Sequence, residues 1–223
     1  WSSAFTKENE LQWDGGGSWT TIWTRTITNA GSEPSTYTMT VPGTTDRYAA
    51  GTMLHVRGGG GTLSIDQIGS QFTGAGGGGT LNAVAPAITP TVTDTLLILH
   101  SGFGWSGSDF TSSPPTVTGG TMTSLAASAG GPDSSAAYAT QAAASSTGTR
   151  TVAMDVVSGD VGFAQLFNVK EVSAGGSAGS ATAGATVSGI SGSRGAVVAG
   201  ATVSGVGGTS GSVGAAAAAA TVI

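Results

Sequence analysis

Two histidines, one glycine-rich string and a scatter of aspartates are the residues of this chain whose types could do chemistry. His55 and His100 are the only histidines, and neither has Glu or His three or four positions away. A two-histidine metal site would therefore need two separate strands to bring them together. Cys is absent, so disulfides and thiolate metal ligands are excluded. Gly102 to Gly107 reads G-F-G-W-S-G, formally G-x-G-x-x-G. A dinucleotide loop needs a helix to begin there and an acid about 20 residues further on, whereas the residues that follow carry Pro114-Pro115 and no helical period. The string reads as a strand leaving into a glycine-rich surface loop. Asp14, Asp46, Asp94, Asp109, Asp133 and Asp160 each stand beside Gly, Ser or Thr. Such carboxylates cap backbone amides in turns; a Ca²⁺ site between two loops is the alternative, but no D-x-D-x-D run is present. No metal, cofactor or catalytic residue is expected.

The aromatics are the other candidates. Four of the five tryptophans, Trp1, Trp13, Trp19 and Trp23, lie in the first 23 residues, and Trp105 lies in the glycine-rich string. Trp19 and Trp23 are four apart, so on one continuous strand they share a side. Trp19, Trp23 and Trp105 are read as core or interface residues, with stacking on sugar rings as the alternative. If Trp23 fills a core, Trp23→Ala costs about 3–5 kcal/mol.

The elements that position these residues follow from composition. Gly, Ala, Thr and Ser fill 133 of 223 positions, which starves the chain of helix formers. Lys and Arg number 7 against 12 Asp and Glu, for a net charge of −5. A chain with so few solvating charges is compact, assembled with partners, or both. Its basic residues stand singly, so no nucleic-acid partner is expected. No run of 18 apolar residues occurs, and the first 30 residues lack a basic start followed by an apolar stretch, so neither a membrane span nor a signal peptide is predicted. The chain does not begin with Met, which is read as a processed or partial chain.

Short strands are predicted over Trp19–Thr28, Ser35–Val41, Ala50–Val56, Thr62–Ile68, Thr80–Ala85, Thr95–His100, Thr121–Ala127, Ser135–Ala142, Arg150–Val156 and Val161–Val172, separated by turn residues. In Ser35–Val41, Tyr37, Met39 and Val41 alternate with Thr36, Thr38 and Thr40, the period of a half-buried antiparallel strand. Phe5–Arg57 can be laid beside Met122–Val172 by strand and turn order, so residues 61–172 read as one complete β-sandwich module. Residues 1–60 then read as a partial module holding only the later strands, the earlier ones coming from before Trp1 or from elsewhere. Residues 173–223 form a low-complexity tail that contains only Arg194 among the charged residues. In it Ala183–Ile190 returns as Ala199–Val206, 16 residues later, with a broken copy at Ala219–Ile223. Such a segment buries too little apolar area to offset the entropy of ordering it, so it is expected to pair with neighbouring chains or else to act as a linker.

The order of features, from Ser18–Gly58 (SWTTIWTRTITNAGSEPSTYTMTVPGTTDRYAAGTMLHVRG) to Asp94–Gly102 (DTLLILHSG), the Pro-Pro loop and Ser134–Val172, resembles the tandem jelly-roll-like β-sandwich modules of tailed-phage virion proteins, such as minor tail, fibre and capsid-decorating proteins. The resemblance is carried by Ser35–Thr38 ahead of a strand ending in a hydrophobic-Gly corner at Met53–Gly58, and the ATVSG tail is similar to repeats at the ends of some phage tail proteins. It covers nearly the whole chain and transfers no catalytic residue. It implies an all-β chain of antiparallel β-sandwich (jelly-roll-like) modules followed by a Gly/Ala/Thr/Val-rich repetitive tail. The implied role is a non-enzymatic structural protein of a phage particle, located in the virion and assembling with other virion subunits and with copies of itself. The alternatives are a secreted or cell-surface carbohydrate-binding module, for which a host-surface glycan is the partner, and a loop-sited hydrolase.

Overall fold

The computed structural model describes residues 5–13, 18–28, 33–34, 36–40, 49–58, 61–104, 109–110, 115–127, 133–172, 182–185, 196–200 and 214–222. Every regular element among them is a β-strand, and every strand pair is antiparallel.

The central sheet has the order β10-β11-β7-β13-β5, built from β5 (Thr62–Ala75), β7 (Thr95–Phe103), β10 (Thr123–Ala127), β11 (Asp133–Gln141) and β13 (Val161–Val172). All nine residues of β7 are buried, as its unbroken apolar start predicts for a strand covered on both sides. Its alternate residues serve two cores. Leu97, Leu99 and Phe103 pack with Ala83, Ala85, Val152, Met154 and Val156, from a sheet made of β6 (Gly79–Ala85), β12 (Arg150–Val156), β8 (Asp109–Phe110) and β9 (Val117–Thr118). Leu96 and Ile98 face the other way, where with Phe167 and Val169 they meet Ile22, Leu54 and Val56.

Those last three residues belong to an outer sheet of order β1-β2-β16-β4-β14, formed by β1 (Thr6–Trp13), β2 (Ser18–Ile27), β4 (Ala49–Arg57), β14 (Thr182–Ala185) and β16 (Gly214–Val222). A two-stranded ribbon pairs β3 (Thr36–Thr40) with β15 (Ala196–Gly200). The apolar core therefore runs across the sequence position near residue 60, and the tail strands pair with strands of the same chain. Each described tail strand overlaps one copy of the repeat, β14 at Ala183–Ala185, β15 at Ala199–Gly200 and β16 at Ala219–Val222, and the rest of the copies lies outside the described residues. The longest, β16, is mostly alanine, a weak strand former. It is extended because β2 and β4 flank it on both sides.

The outer and central sheets are laid out alike. In the outer sheet β16 lies between β2 and β4, with β1 beyond β2 and β14 beyond β4; in the central sheet β7 lies between β11 and β13, with β10 beyond β11 and β5 beyond β13. The ribbon β15-β3 has the same counterpart in β6-β12.

Two glycines are demanded by this packing. A Cβ on Gly102 would stand 2.3 Å from the Asp133 carbonyl and 2.9 Å from the Phe163 ring, so only glycine lets β7, β11 and β13 close up there. Gly159 has φ 88° in the turn joining β12 to β13, which the Asp160 N–H closes on the Val157 carbonyl at 3.0 Å, a conformation that an L side chain strains.

Candidate functional site

The polar groups with chemical potential gather between the outer and central sheets. The register of β5, β13 and β7 sets Gln71, Gln165 and His100 in one row across the central sheet, beside the apolar row of Ile98 and Phe167. From the neighbouring β11, Ser134 Oγ lies 3.1 Å from His100 Nε2 and 3.1 Å from Thr52 Oγ1 on β4. On β2, Thr20 Oγ1 accepts from Gln71 Nε2 at 3.3 Å, and Gln165 Nε2 donates to the Gly69 carbonyl at 2.8 Å. Thr20 stands two residues from Ile22 and Thr52 two from Leu54, so the side of the outer sheet that delivers the apolar contacts also delivers these hydroxyls.

A Ser–His contact is the geometry of a nucleophile and its base. Here Ser134 and His100 are both fully buried, and among the described residues His100 Nδ1 has no hydrogen-bond partner to orient the ring. Phe163 packs edge-on to the imidazole at 4.9 Å. Burial pushes the His100 pKa from 6.5 down to about 3, because charging the ring in an apolar layer is unfavourable. The imidazole is thus a neutral link in a polar seam. Among the described residues Gln71 Oε1 and Gln165 Oε1 in the same row are also buried without hydrogen-bond partners, so the seam is only partly satisfied and adds little stability.

His55 does not join His100. Leu54 and Val56 on either side of it face the central sheet, so alternation along β4 turns His55 to the other side. Burial, and then the nearby Arg57, lower its pKa. Among the described residues no group of three His, Cys, Asp or Glu is placed to hold a metal.

A second polar node ties β5 to β13. Asp66 accepts from the Thr91 amide at 2.8 Å, from Asn168 Nδ2 at 3.0 Å, from Lys170 Nζ at 2.9 Å and from the Thr91 hydroxyl. Burial alone would raise the carboxyl, but the donors from Thr91, Lys170 and Asn168 outweigh it and hold it well below the usual carboxylate range. Arg150 is 7% exposed, and its Nη1 donates to the carbonyls of Thr147, Gly119 and Thr149 at 2.6, 3.0 and 3.0 Å. It fastens two loops to the β12 end, and burial lowers its pKa.

The tryptophans separate. Trp105 lies outside the described residues, as do Trp1 and the side chain of Trp13. Trp19 is half-buried. Trp23 is half-buried against a small cluster of Phe5, Tyr37 and Met53 on the outer sheet, with Lys7 Nζ 5.9 Å from its ring. Phe5 and Tyr37 meet edge to face at 5.3 Å, Arg25 stands 5.5 Å from the Tyr37 ring and pairs with Glu33 at 3.0 Å. The Tyr37 hydroxyl donates to Glu33, and burial followed by that hydrogen bond pushes its pKa up to about 12. Trp23 therefore packs in a satellite cluster, where truncation costs less than the emptying of a main core.

Of the aspartates read as turn caps, Asp160 accepts from the Val161 amide at 2.8 Å, and Asp94 takes φ 55°, a left-handed position that aspartate tolerates. Asp133 is a buried strand residue, while Asp14 and Asp46 lie outside the described residues. Sequence reasoning missed the seam itself, although Gln165 and Asn168 inside the apolar strand Val161–Val172 were a visible signal of buried polar groups. Comparison with protein-family models, with curated proteins and with solved structures returned no match. No helix among the described residues is long and apolar enough to cross a membrane.

Proposed function

We propose that the chain is a non-enzymatic structural subunit of a phage particle, of tail, fibre or capsid-decorating kind, that acts by assembling with other virion subunits and with copies of itself. The observation that carries this reading is the insertion of β16, a strand with no side chain larger than valine, between β2 and β4. A sheet finished by backbone pairing with a remote, almost uncharged segment is suited to joining subunits, since pairing of that kind needs no side-chain recognition. The only Ser–His contact among the described residues is sealed between two sheets, which supports a non-catalytic role. The resemblance to tailed-phage modules supplies the particle.

Native mass spectrometry and negative-stain electron microscopy of the purified chain test the reading. A symmetric multimer or a filament is expected. A monomer at every concentration that binds a glycan array would replace this reading with the carbohydrate-binding one. Antibodies raised against residues 61–172 should label intact particles from the same source.

A further inference from the structure

We propose that β14, β15 and β16 of one copy complete the outer sheet of a second copy, so that chains join head to tail by exchange of the tail strands. The inference rests on the assembly reading above and names its partner and its contact.

The layout of the two sheets carries it. In the central sheet and its neighbour, β5, β6 and β7 come first in the chain, and β11, β12 and β13, with which they pair, come later together with β10, which pairs β11. In the outer sheet and ribbon the counterparts are β14, β15 and β16 paired with β2, β3 and β4, with β1 beyond β2, so the two halves occur in reverse chain order. The halves of the outer unit are joined only through the intervening central strands. Nothing in their pairing therefore distinguishes the tail half of the same chain from that of another copy.

The acceptor half is held in place independently of the tail. Ile22, Leu54 and Val56 pack on Leu96, Ile98 and Phe167, and Thr20 and Thr52 hydrogen-bond to Gln71 and Ser134. Withdrawal of β16 would leave a slot one strand wide between β2 and β4, with nine residue positions on each edge. Two facing unpaired edges of this kind are templates for an added strand.

The donor half suits exchange as well. A run of six alanines occupies the slot through backbone pairing on both edges, which any copy offers equally. Residues 173–181, between β13 and β14, comprise nine positions of Ser, Ala and Gly, a length of chain that spans at most about 30 Å. In dilute solution the same chain's tail wins, because tethering sets an effective concentration on the order of millimolar. In a packed array a neighbour's tail competes. When each copy passes its tail on to the next, donor and acceptor are different parts of the chain and the contact is heterologous, which propagates as a filament or closes as a ring.

Cross-linking on the full chain tests the exchange, using its lack of native cysteine. Thr26 pairs with Ala215 across β2 and β16, and Thr38 pairs with Val198 across β3 and β15. Isotope-labelled Thr26→Cys is refolded and concentrated with unlabelled Ala215→Cys, then oxidised; Thr38→Cys with Val198→Cys forms the second, independent pair. The expected result is a disulfide-linked dimer of one labelled and one unlabelled chain, mapped to 26–215 and to 38–198. The doubly substituted chains, Thr26→Cys/Ala215→Cys and Thr38→Cys/Val198→Cys, should give ladders under the same conditions. An assembly whose doubly substituted chains cross-link only within themselves would overturn the exchange and leave the assembly reading standing. Intrachain links with no assembly at any concentration would overturn both.

Discussion

The central sheet and the outer sheet share a strand order and differ in what fills the middle. In the central sheet the middle strand is β7, whose Leu96, Leu97, Ile98, Leu99 and Phe103 are at most 1% exposed and feed two cores. In the outer sheet the middle strand is β16, with six alanines. The two strands make equivalent backbone pairings on both sides, so what separates them is the size of the side chains they carry. A large buried side chain is worth about 1.5–3 kcal/mol relative to leaving it exposed, whereas a typical hydrogen bond nets about 1 kcal/mol. One topology thus carries a large apolar middle strand in the central sheet and a small-residue middle strand in the outer sheet, and the second is the one that the proposed exchange would open.

The largest effect that sharpens this contrast is expected at Phe167, which is 1% exposed between the two sheets. Phe167→Ala should cost about 3–5 kcal/mol in denaturant unfolding. A loss under 1 kcal/mol would mean that the central sheet is not the main core.

Next comes the polar seam. His100 has a folded-state pKa of about 3 against 6.5 in its ordinary state. Between those values the unfolded chain binds a proton that the folded chain refuses, so stability falls as pH drops from about 6.5 toward 3, by at most about 1.4 kcal/mol per pH unit. His100→Gln should flatten that slope, and His55→Gln, at a partly exposed ring, should flatten it less. Asp66 acts in a lower window: its carboxyl is depressed from 3.8, so its contribution is present above about pH 4 and lost on further acidification. Unfolding curves at closely spaced pH values separate the two, and an unchanged slope in His100→Gln would contradict the buried neutral ring.

Trp23→Ala should cost about 1–2 kcal/mol, in proportion to its half-burial in the satellite cluster. This is below the 3–5 kcal/mol that a core position implies, and a loss in that higher range would move Trp23 into the main core. The smallest effect is expected on β16 itself. Ala218, which pairs with both Trp23 and Met53 in the outer sheet, should tolerate Gly at about 0.5–1 kcal/mol. A cost matching Phe167→Ala would erase the distinction between core and joint.

Most of the strands were legible because their alternation is local. Arg150–Val156 and Val161–Val172 coincide with the observed β12 and β13, and the other eight predicted stretches each overlap an observed strand. The structure adds β1, which reads as polar because Lys7, Glu8 and Glu10 lie along it and are exposed. It is an edge strand, where charge protects an open side. β8 and β9, at two residues each, are too short to carry a period. The expectation of candidate aromatics named Trp23 and left its surroundings open, because alternation assigns a side of a strand and not what covers that side.

By itself the sequence determined the all-β character: small and β-branched residues, few helix formers and period-two alternation act within a few residues of one another. It also determined that His100 would stand in an apolar strand and that the tail would be almost without charge. Only the tertiary structure decided that β7 is covered on both faces, that Ser134 and Thr52 reach His100 in a buried chain, and that an alanine strand divides β2 from β4. These are pairings between residues tens to nearly two hundred positions apart, as in Thr52 with Ser134 and Ile22 with Ala219. Local propensity carries no term for them, and they are fixed by which faces and strand edges remain to be covered once the chain has collapsed.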